Sequence, residues 1–201
     1  MSLKTEIVCF FDYAKTKNVE LYNEFSLQHE IGVFLREKMP GYKIQFERNV
    51  DTLFSAKVIE KIGEEMIKAE IDITILDPDG KTYAAIELKY PRNKQYPEQM
   101  YSFIKDIKFA EQLRRLGFRH ACCVVLVDDR LFYSGGRAEN GIYQFFRKTF
   151  KVPGREYIMK PTGKDEDCIR LGQTHTIEWQ DYMWQDVGGQ PCEGKFYCIE
   201  I

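Results

Sequence analysis

Two short alternating stretches joined by a turn constrain this chain more than any other part of it. In Glu70-Ile71-Asp72-Ile73-Thr74-Ile75 isoleucines alternate with polar residues, and in Ala84-Ala85-Ile86-Glu87-Leu88-Lys89 the apolar Ile86 and Leu88 alternate with Glu87 and Lys89. A period of two marks strands with one buried face. Between them Asp77-Pro78-Asp79-Gly80 supplies a turn, because Pro presets one φ and Gly accepts a positive one. The unit reads as a β-hairpin that brings Asp72 beside Glu87. With residues 77–80 as a four-residue loop, Leu76 faces Lys81, Asp72 faces Ala85, and Glu87 is the diagonal same-face neighbour of Asp72. A three-residue loop closed by Asp77 and Lys81 would put the carboxylates on opposite faces unless a bulge restored the parity. The first register is expected, since it leaves all the isoleucines and Leu88 on one face.

Two carboxylates on one sheet face repel each other, and each loses hydration on partial burial. A divalent cation removes that cost. Mg²⁺ takes a few carboxylate oxygens together with water and substrate phosphate, so Asp72, Glu87 and the Leu88 carbonyl form a partial ligand set. Lys89 points to the same face, where an ammonium can orient or deprotonate an attacking water and stabilise charge on a phosphorane-like transition state. These are the parts of metal-assisted phosphodiester hydrolysis, with Asp72, Glu87 and Lys89 as catalytic residues and Mn²⁺ expected to substitute for Mg²⁺. The bland reading of the same residues is an exposed Glu/Lys pair worth under ~1 kcal/mol. The order of the surrounding elements favours the sharper one.

An Asp on one strand followed by Glu-x-Lys on the next, here Asp72 and Glu87-Leu88-Lys89, resembles the PD-(D/E)xK phosphodiesterase superfamily, the restriction-endonuclease-like nucleases. A helix over residues 19–38, a strand over 42–50, the hairpin, a helix over 97–116 and a strand over 120–127 follow that family's αβββαβ core. The resemblance implies an α/β fold with a mixed central sheet flanked by helices. Residues 1–150 would form the nuclease core and 151–201 a β-rich C-terminal extension packed on the same domain. It also implies a Glu on the first helix that completes the metal shell, for which Glu30 is the candidate, with Glu24 and Glu37 behind it. Ile71 stands where the family's name-giving Pro would be, and Pro78-Asp79 lies in the turn, at the wrong end of the hairpin. Gln99 is followed four residues on by Phe103 rather than Tyr, so an exonuclease-like branch carrying that Gln/Tyr pair is not supported. The implied function is a metal-dependent nuclease, with DNA favoured over RNA and a homodimer plausible by analogy. The alternative is a catalytically inactive nuclease-fold module for nucleic-acid binding or assembly.

With 201 residues, 44% hydrophobic content and a net charge of -2, the chain can bury one substantial core and does not have the charge of a non-specific nucleic-acid coat. No apolar run reaches the ~18 residues of a membrane span, and Ile7 to Phe11 is too short for a signal-peptide core, so a cytoplasmic location away from membranes is expected. The six cysteines are expected to be reduced, Cys122-Cys123 acting as small hydrophobes in a strand. Cys168, His175, Cys192 and Cys198 contain no CxxC pair, which argues against zinc.

Arg92 and Lys94, in the loop leaving Lys89, are expected to contact phosphates, with Tyr90 and Tyr96 as stacking surfaces. Arg114 and Arg115, interleaved with Asp106 and Glu111, read as a solvated helix face. Gly135-Gly136-Arg137-Ala138-Glu139-Asn140-Gly141 lacks phosphate-cradle spacing and reads as a flexible loop. Residues 142–150 read as a short amphipathic helix, and residues 176–183 and 195–201 as strands.

Overall fold

Leu3, Ile7, Phe10, Phe11 and Ala14 recur at helical spacing, and all are buried on one side of α1 (Leu3–Lys17). Asn18 ends that helix in the left-handed conformation with φ 51°. The next helix therefore starts later than the sequence pattern suggests. Asn23 and Ser26 form a reciprocal capping box that opens α2 (Glu24–Lys38). Within α2, Leu27, Ile31, Phe34 and Leu35 enter the core while Phe25 stays exposed.

This computed structural model describes residues 2–136, 140–163, 167–186 and 188–201; part of the glycine-rich loop around Arg137 to Glu139 lies outside them. After α2 come β1 (Lys43–Asn49), α3 (Ala56–Glu60), β2 (Glu70–Leu76), β3 (Thr82–Lys89), α4 (Tyr96–Leu116) and β4 (His120–Val127). The rest comprises α5 (Tyr143–Arg147), the short β5 (Lys151–Val152), β6 (Tyr157–Met159), β7 (Cys168–Arg170) and β8 (His175–Thr176), then β9 (Gln180–Gln185) and β10 (Pro191–Glu200).

The chain is mixed α/β, with a six-stranded sheet ordered β1-β2-β3-β4-β10-β9. Only β3 and β4 run parallel, because α4 carries the chain across between them; the other neighbours are antiparallel. α1 and α2 cover one face through Phe10, Phe11, Ile31 and Phe34 against Ile73, Ile86, Leu88 and Val124. α4 covers the other through Ile104, Ile107 and Ala110 against Cys123, Val125 and Tyr197. Among the described residues no helix is long and apolar enough to cross a membrane.

Residues after 150 are tied into this frame at two levels. β10 pairs with β4 from Lys195↔Val127 to Glu200↔Cys122, so the last strands extend the central sheet. The segment before them lies on α4, where the Glu111 carboxylate accepts from the Gly172 and Gln173 amides at 2.8 and 3.3 Å and meets His175 Nε2 at 2.9 Å. His175 is thereby engaged with a carboxylate, and Cys198 is buried inside β10.

β10 passes so close to β4 at Gly194 that a Cβ there would stand 2.3 Å from the Val127 carbonyl oxygen. Gly194→Ala is expected to cost about 1–3 kcal/mol of stability, since the backbone rather than a side chain must give way. Urea unfolding checks this; an unchanged midpoint would contradict it.

Candidate active site

The hairpin closes differently from the expected register. Asp77 N donates to Lys81 O at 2.9 Å and Asp77 Oδ1 accepts from Lys81 N at 2.8 Å, leaving a three-residue loop of Pro78, Asp79 and Gly80, with Gly80 at φ 81°. That loop alone would split the carboxylates between faces. The ladder instead skips a residue: Leu76 pairs with Thr82, but Ile75 pairs with Ala84, leaving Tyr83 as the extra residue of a bulge. The Tyr83 ring rests against Tyr42 and His120, with centroids 4.9 and 5.1 Å apart, which holds the bulge. From there Thr74 faces Ala85 and Ile73 faces Ile86. One step further on, Asp72 stands across from Glu87.

At that step the two strands exchange side-chain bonds in place of ladder bonds. Asp72 Oδ2 accepts from the Leu88 amide at 2.7 Å, and Glu87 Oε1 accepts from the Asp72 amide at 3.4 Å. The other edge of β2 is disturbed at the same residue. Glu47, opposite Asp72 in the β1 register, has φ 50°, and the Gln28 side chain donates to both the Asp72 carbonyl, at 2.7 Å, and the Glu47 carboxylate. Strict alternation breaks here. Ile73 and Ile75 pack toward α1 and α2, whereas Ile71 packs with Phe109 and Leu113 beneath α4, so the expectation that all the isoleucines share a face fails at Ile71.

The remaining polar groups are Lys89 at the end of β3 and three residues from elsewhere, Lys68 before β2, Glu24 of α2 and Asp106 of α4. Lys68, in the approach to β2, bonds Glu87 Oε2 and lies 3.0 Å from Asp106 Oδ1. Lys89 Nζ donates to the Leu88 carbonyl at 2.8 Å and lies 3.3 Å from Glu24 Oε1 and 3.5 Å from Asp106 Oδ2. Glu24 Oε2 also accepts from the Tyr90 amide at 3.0 Å. Of the α2 carboxylates, Glu24 rather than Glu30 contacts these residues. Six residues of helix separate the two, which turns Glu30 well away from Glu24, whereas Gln28 lies one turn on from Glu24 and shares its face. Glu37 is exposed near the far end of α2.

Asp106 and Glu111 do not lie on a solvated face: they are 3% and 9% exposed, because the segments before β2 and after α5 cover α4. Arg115 bonds Glu64 at 2.7 Å and the Ile62 carbonyl, and Arg114 bonds the Phe118 carbonyl, so both tie down the end of α4.

The proposed phosphate-contacting loop holds a different arrangement from the one expected. Tyr90 is 3% exposed, within the core under α1 and α2, so it offers no stacking surface. Tyr96 donates to Asp129 Oδ2 at 2.7 Å and packs edge-on to Phe132. Arg92 is exposed, pairs with Asp128, and lies 4.9 Å over the Tyr90 ring. Lys94 is exposed and contributes positive charge near Asp129.

Burial governs the electrostatics. Asp72 has its pKa pushed up to about 6 by burial, partly countered by Lys68 and Lys89. Glu87, 1% exposed, is held well above the usual carboxylate range by burial and then by Asp72, even with Lys68 beside it. Burial would lower both lysines, but Glu87 and Asp106 outweigh it at Lys68, and Asp106 and Glu24 at Lys89, so both remain ammonium ions at neutral pH. Three largely buried acidic side chains, Asp72, Glu87 and Asp106, and the more exposed Glu24 thus face two ammoniums.

Among the described residues no three His, Cys, Asp or Glu side chains are gathered as a ready-made metal cage. The donor chemistry still suits a hard cation. Asp72 and Glu87 are all-oxygen donors whose ionised forms are under-compensated, and Asp106 Oδ2 is buried without a hydrogen-bond partner. Lys68 gave no sequence signal, since it lies outside any periodic segment. Asp106 gave only a weak one, an acid flanked by Ile104, Ile107, Phe109 and Ala110 on a helix of mixed apolar and charged residues. Comparison with protein-family models, with curated proteins and with solved structures finds no match.

Proposed function

We propose that the chain is a metal-dependent nuclease of PD-(D/E)xK type, hydrolysing phosphodiester bonds in nucleic acid, with DNA as the favoured substrate. The observation that carries this reading is the pair of cross-strand bonds where β2 and β3 part, Leu88 N–H to the Asp72 carboxylate and Asp72 N–H to the Glu87 carboxylate, with Lys89 beside them. The succession α2, β1, β2, β3, α4, β4, interrupted by the five-residue α3 between β1 and β2, supports a restriction-endonuclease-like core. Glu24 of α2, through its contact with Lys89, would serve as the helix carboxylate first sought at Glu30.

Asp72, Glu87 and the Leu88 carbonyl would hold Mg²⁺ or Mn²⁺, which when bound supplies Lewis-acid activation of water and charge neutralisation at the phosphate. The chain's own contribution is positional and electrostatic. The Leu88 amide fixes the Asp72 carboxylate, and the Asp72 amide fixes Glu87, so neither has to be ordered during the reaction. Lys89 stays charged, so its role is to orient the attacking water and stabilise negative charge on the phosphorane-like transition state, not to act as a base. Hydrolysis of both strands of a duplex needs two such sites, which makes a homodimer part of the proposal for double-stranded DNA.

The ammonium of Lys68 on Glu87 is the feature that favours the second reading, a nuclease-fold binding or assembly module without turnover. Incubating the protein with plasmid DNA and with single-stranded RNA, in Mg²⁺, Mn²⁺, Ca²⁺ or excess chelator, separates the two. Cleavage in Mg²⁺ and Mn²⁺ is expected, with a loss of about a hundredfold or more in Lys89→Met. Full activity in chelator, or an undiminished Lys89→Met, overturns the mechanism; metal binding without cleavage of either substrate favours the module.

A further inference from the structure

Lys68 has no part in the chemistry proposed above, yet its ammonium is the cation most closely engaged with the carboxylates. It bonds Glu87 Oε2, lies 3.0 Å from Asp106 Oδ1, and sits 5.5 Å from the centre of the Phe109 ring. Both oxygens of Glu87 are held by N–H donors: Oε1 by the Asp72 amide and Oε2 by Lys68. The two differ in what release would involve. The amide belongs to β2 and cannot leave without disturbing the strand, whereas Lys68 precedes the strand and can move on side-chain torsions alone. Asp106 offers a destination, because it already contacts Lys68 through Oδ1, and its buried Oδ2 makes no hydrogen bond and has only the looser Lys89 ion pair at 3.5 Å.

We infer that Lys68 is a tethered counter-ion of the Asp72–Glu87 pair, which competes with the divalent cation for Glu87 and shifts onto Asp106 when that cation binds. The inference rests on the metal-dependent reading of the site and makes Lys68 a positioning residue. A tethered ammonium is present at a fixed and high effective concentration, so every metal-binding event includes its displacement. The apparent metal affinity is accordingly lower than the oxygen donors alone would give, and Lys68 compensates the pair in part in the metal-free protein.

The test is Mn²⁺ binding by calorimetry, without nucleic acid, to the full chain and to Lys68→Met. The variant is expected to bind Mn²⁺ about tenfold or more tightly, to melt at a lower temperature than the parent in chelator, and to gain more on adding Mn²⁺. Should Lys68→Met not fold, Lys68→Gln removes the charge while keeping an N–H donor for Glu87, and the same gain is expected. Unchanged or weaker Mn²⁺ affinity in the folded neutral variant overturns the inference. If no variant binds Mn²⁺, both the inference and the metal-dependent reading fall. If the parent binds Mn²⁺ without cleaving any substrate while Lys68→Met binds it more tightly, the counter-ion role stands and turnover alone is lost.

Discussion

Replacing Asp72 by Asn is expected to abolish nucleic-acid cleavage, by about a thousandfold or more, while leaving the metal-free protein at neutral pH at least as stable as the parent. The two halves of this expectation share one cause. Burial raises the Asp72 pKa from 3.8 to about 6, so ionising it in place costs on the order of 2–3 kcal/mol more than in water. Asn removes that cost and the repulsion with Glu87, yet its amide oxygen can still accept from the Leu88 amide. Part of the gain is returned, because Lys68 and Lys89 lose a nearby negative charge. A net gain of about 1 kcal/mol is a reasonable expectation, of the kind seen when a strained functional group is replaced. Cleavage assays and urea unfolding in chelator at pH 7.5 check the two halves separately. An active variant would remove Asp72 from the mechanism. A strongly destabilised one would make the carboxylate a structural device of the hairpin.

Stability in chelator should also fall as pH rises from about 5 to 8, opposite to the usual acid-side behaviour. A carboxyl whose folded pKa is raised binds more protons in the folded than in the unfolded state over that interval, so the slope of unfolding free energy against pH is negative. Asp72 contributes on the order of 2 kcal/mol across its shift, and Glu87, raised in the same direction by burial and Asp72, adds to the decline. Groups shifted the other way do not mask this. Glu111, held down by His175 and two backbone amides, and Glu200, held down by Ser2, Lys4 and His120, lose their contributions only as pH falls below about 4.5. Saturating Mg²⁺ should flatten the decline, since a bound cation stabilises the ionised pair and is displaced by protons. Denaturation midpoints at pH 5, 6, 7 and 8, with chelator and with Mg²⁺, provide the measurement. Stability that rises with pH in chelator would show that the pair is already fully compensated within the fold.

How these residues come together was only partly legible beforehand. Period-two alternation located β2 and β3, and the apolar run at residues 120–127 located β4, because those signals arise from burial of a single strand and are local. The spacing that makes α1 a helix was equally local in Leu3, Ile7, Phe10 and Ala14, although the sequence reading began its first helix at residue 19. Helix face brings Glu24 rather than Glu30 beside Lys89, and the start of α2 depends on the Asn23–Ser26 capping box. The correct face for Asp72 and Glu87 was expected from the wrong loop: a three-residue turn and a bulge at Tyr83 combine to restore the parity that a four-residue turn would have provided.

Sequence alone therefore determined the α/β class, the hairpin, and the residue types Asp72, Glu87 and Lys89 that could share a site, since strand periodicity and turn chemistry are properties of a few consecutive residues. Tertiary structure decided the rest. It drew Lys68 and Asp106 into the carboxylate pair, buried Tyr90, and turned Ile71 to the opposite layer. Each of these depends on segments far apart in the chain packing against one another, where the free energy of burying or pairing a charge is set by neighbours that no local pattern contains.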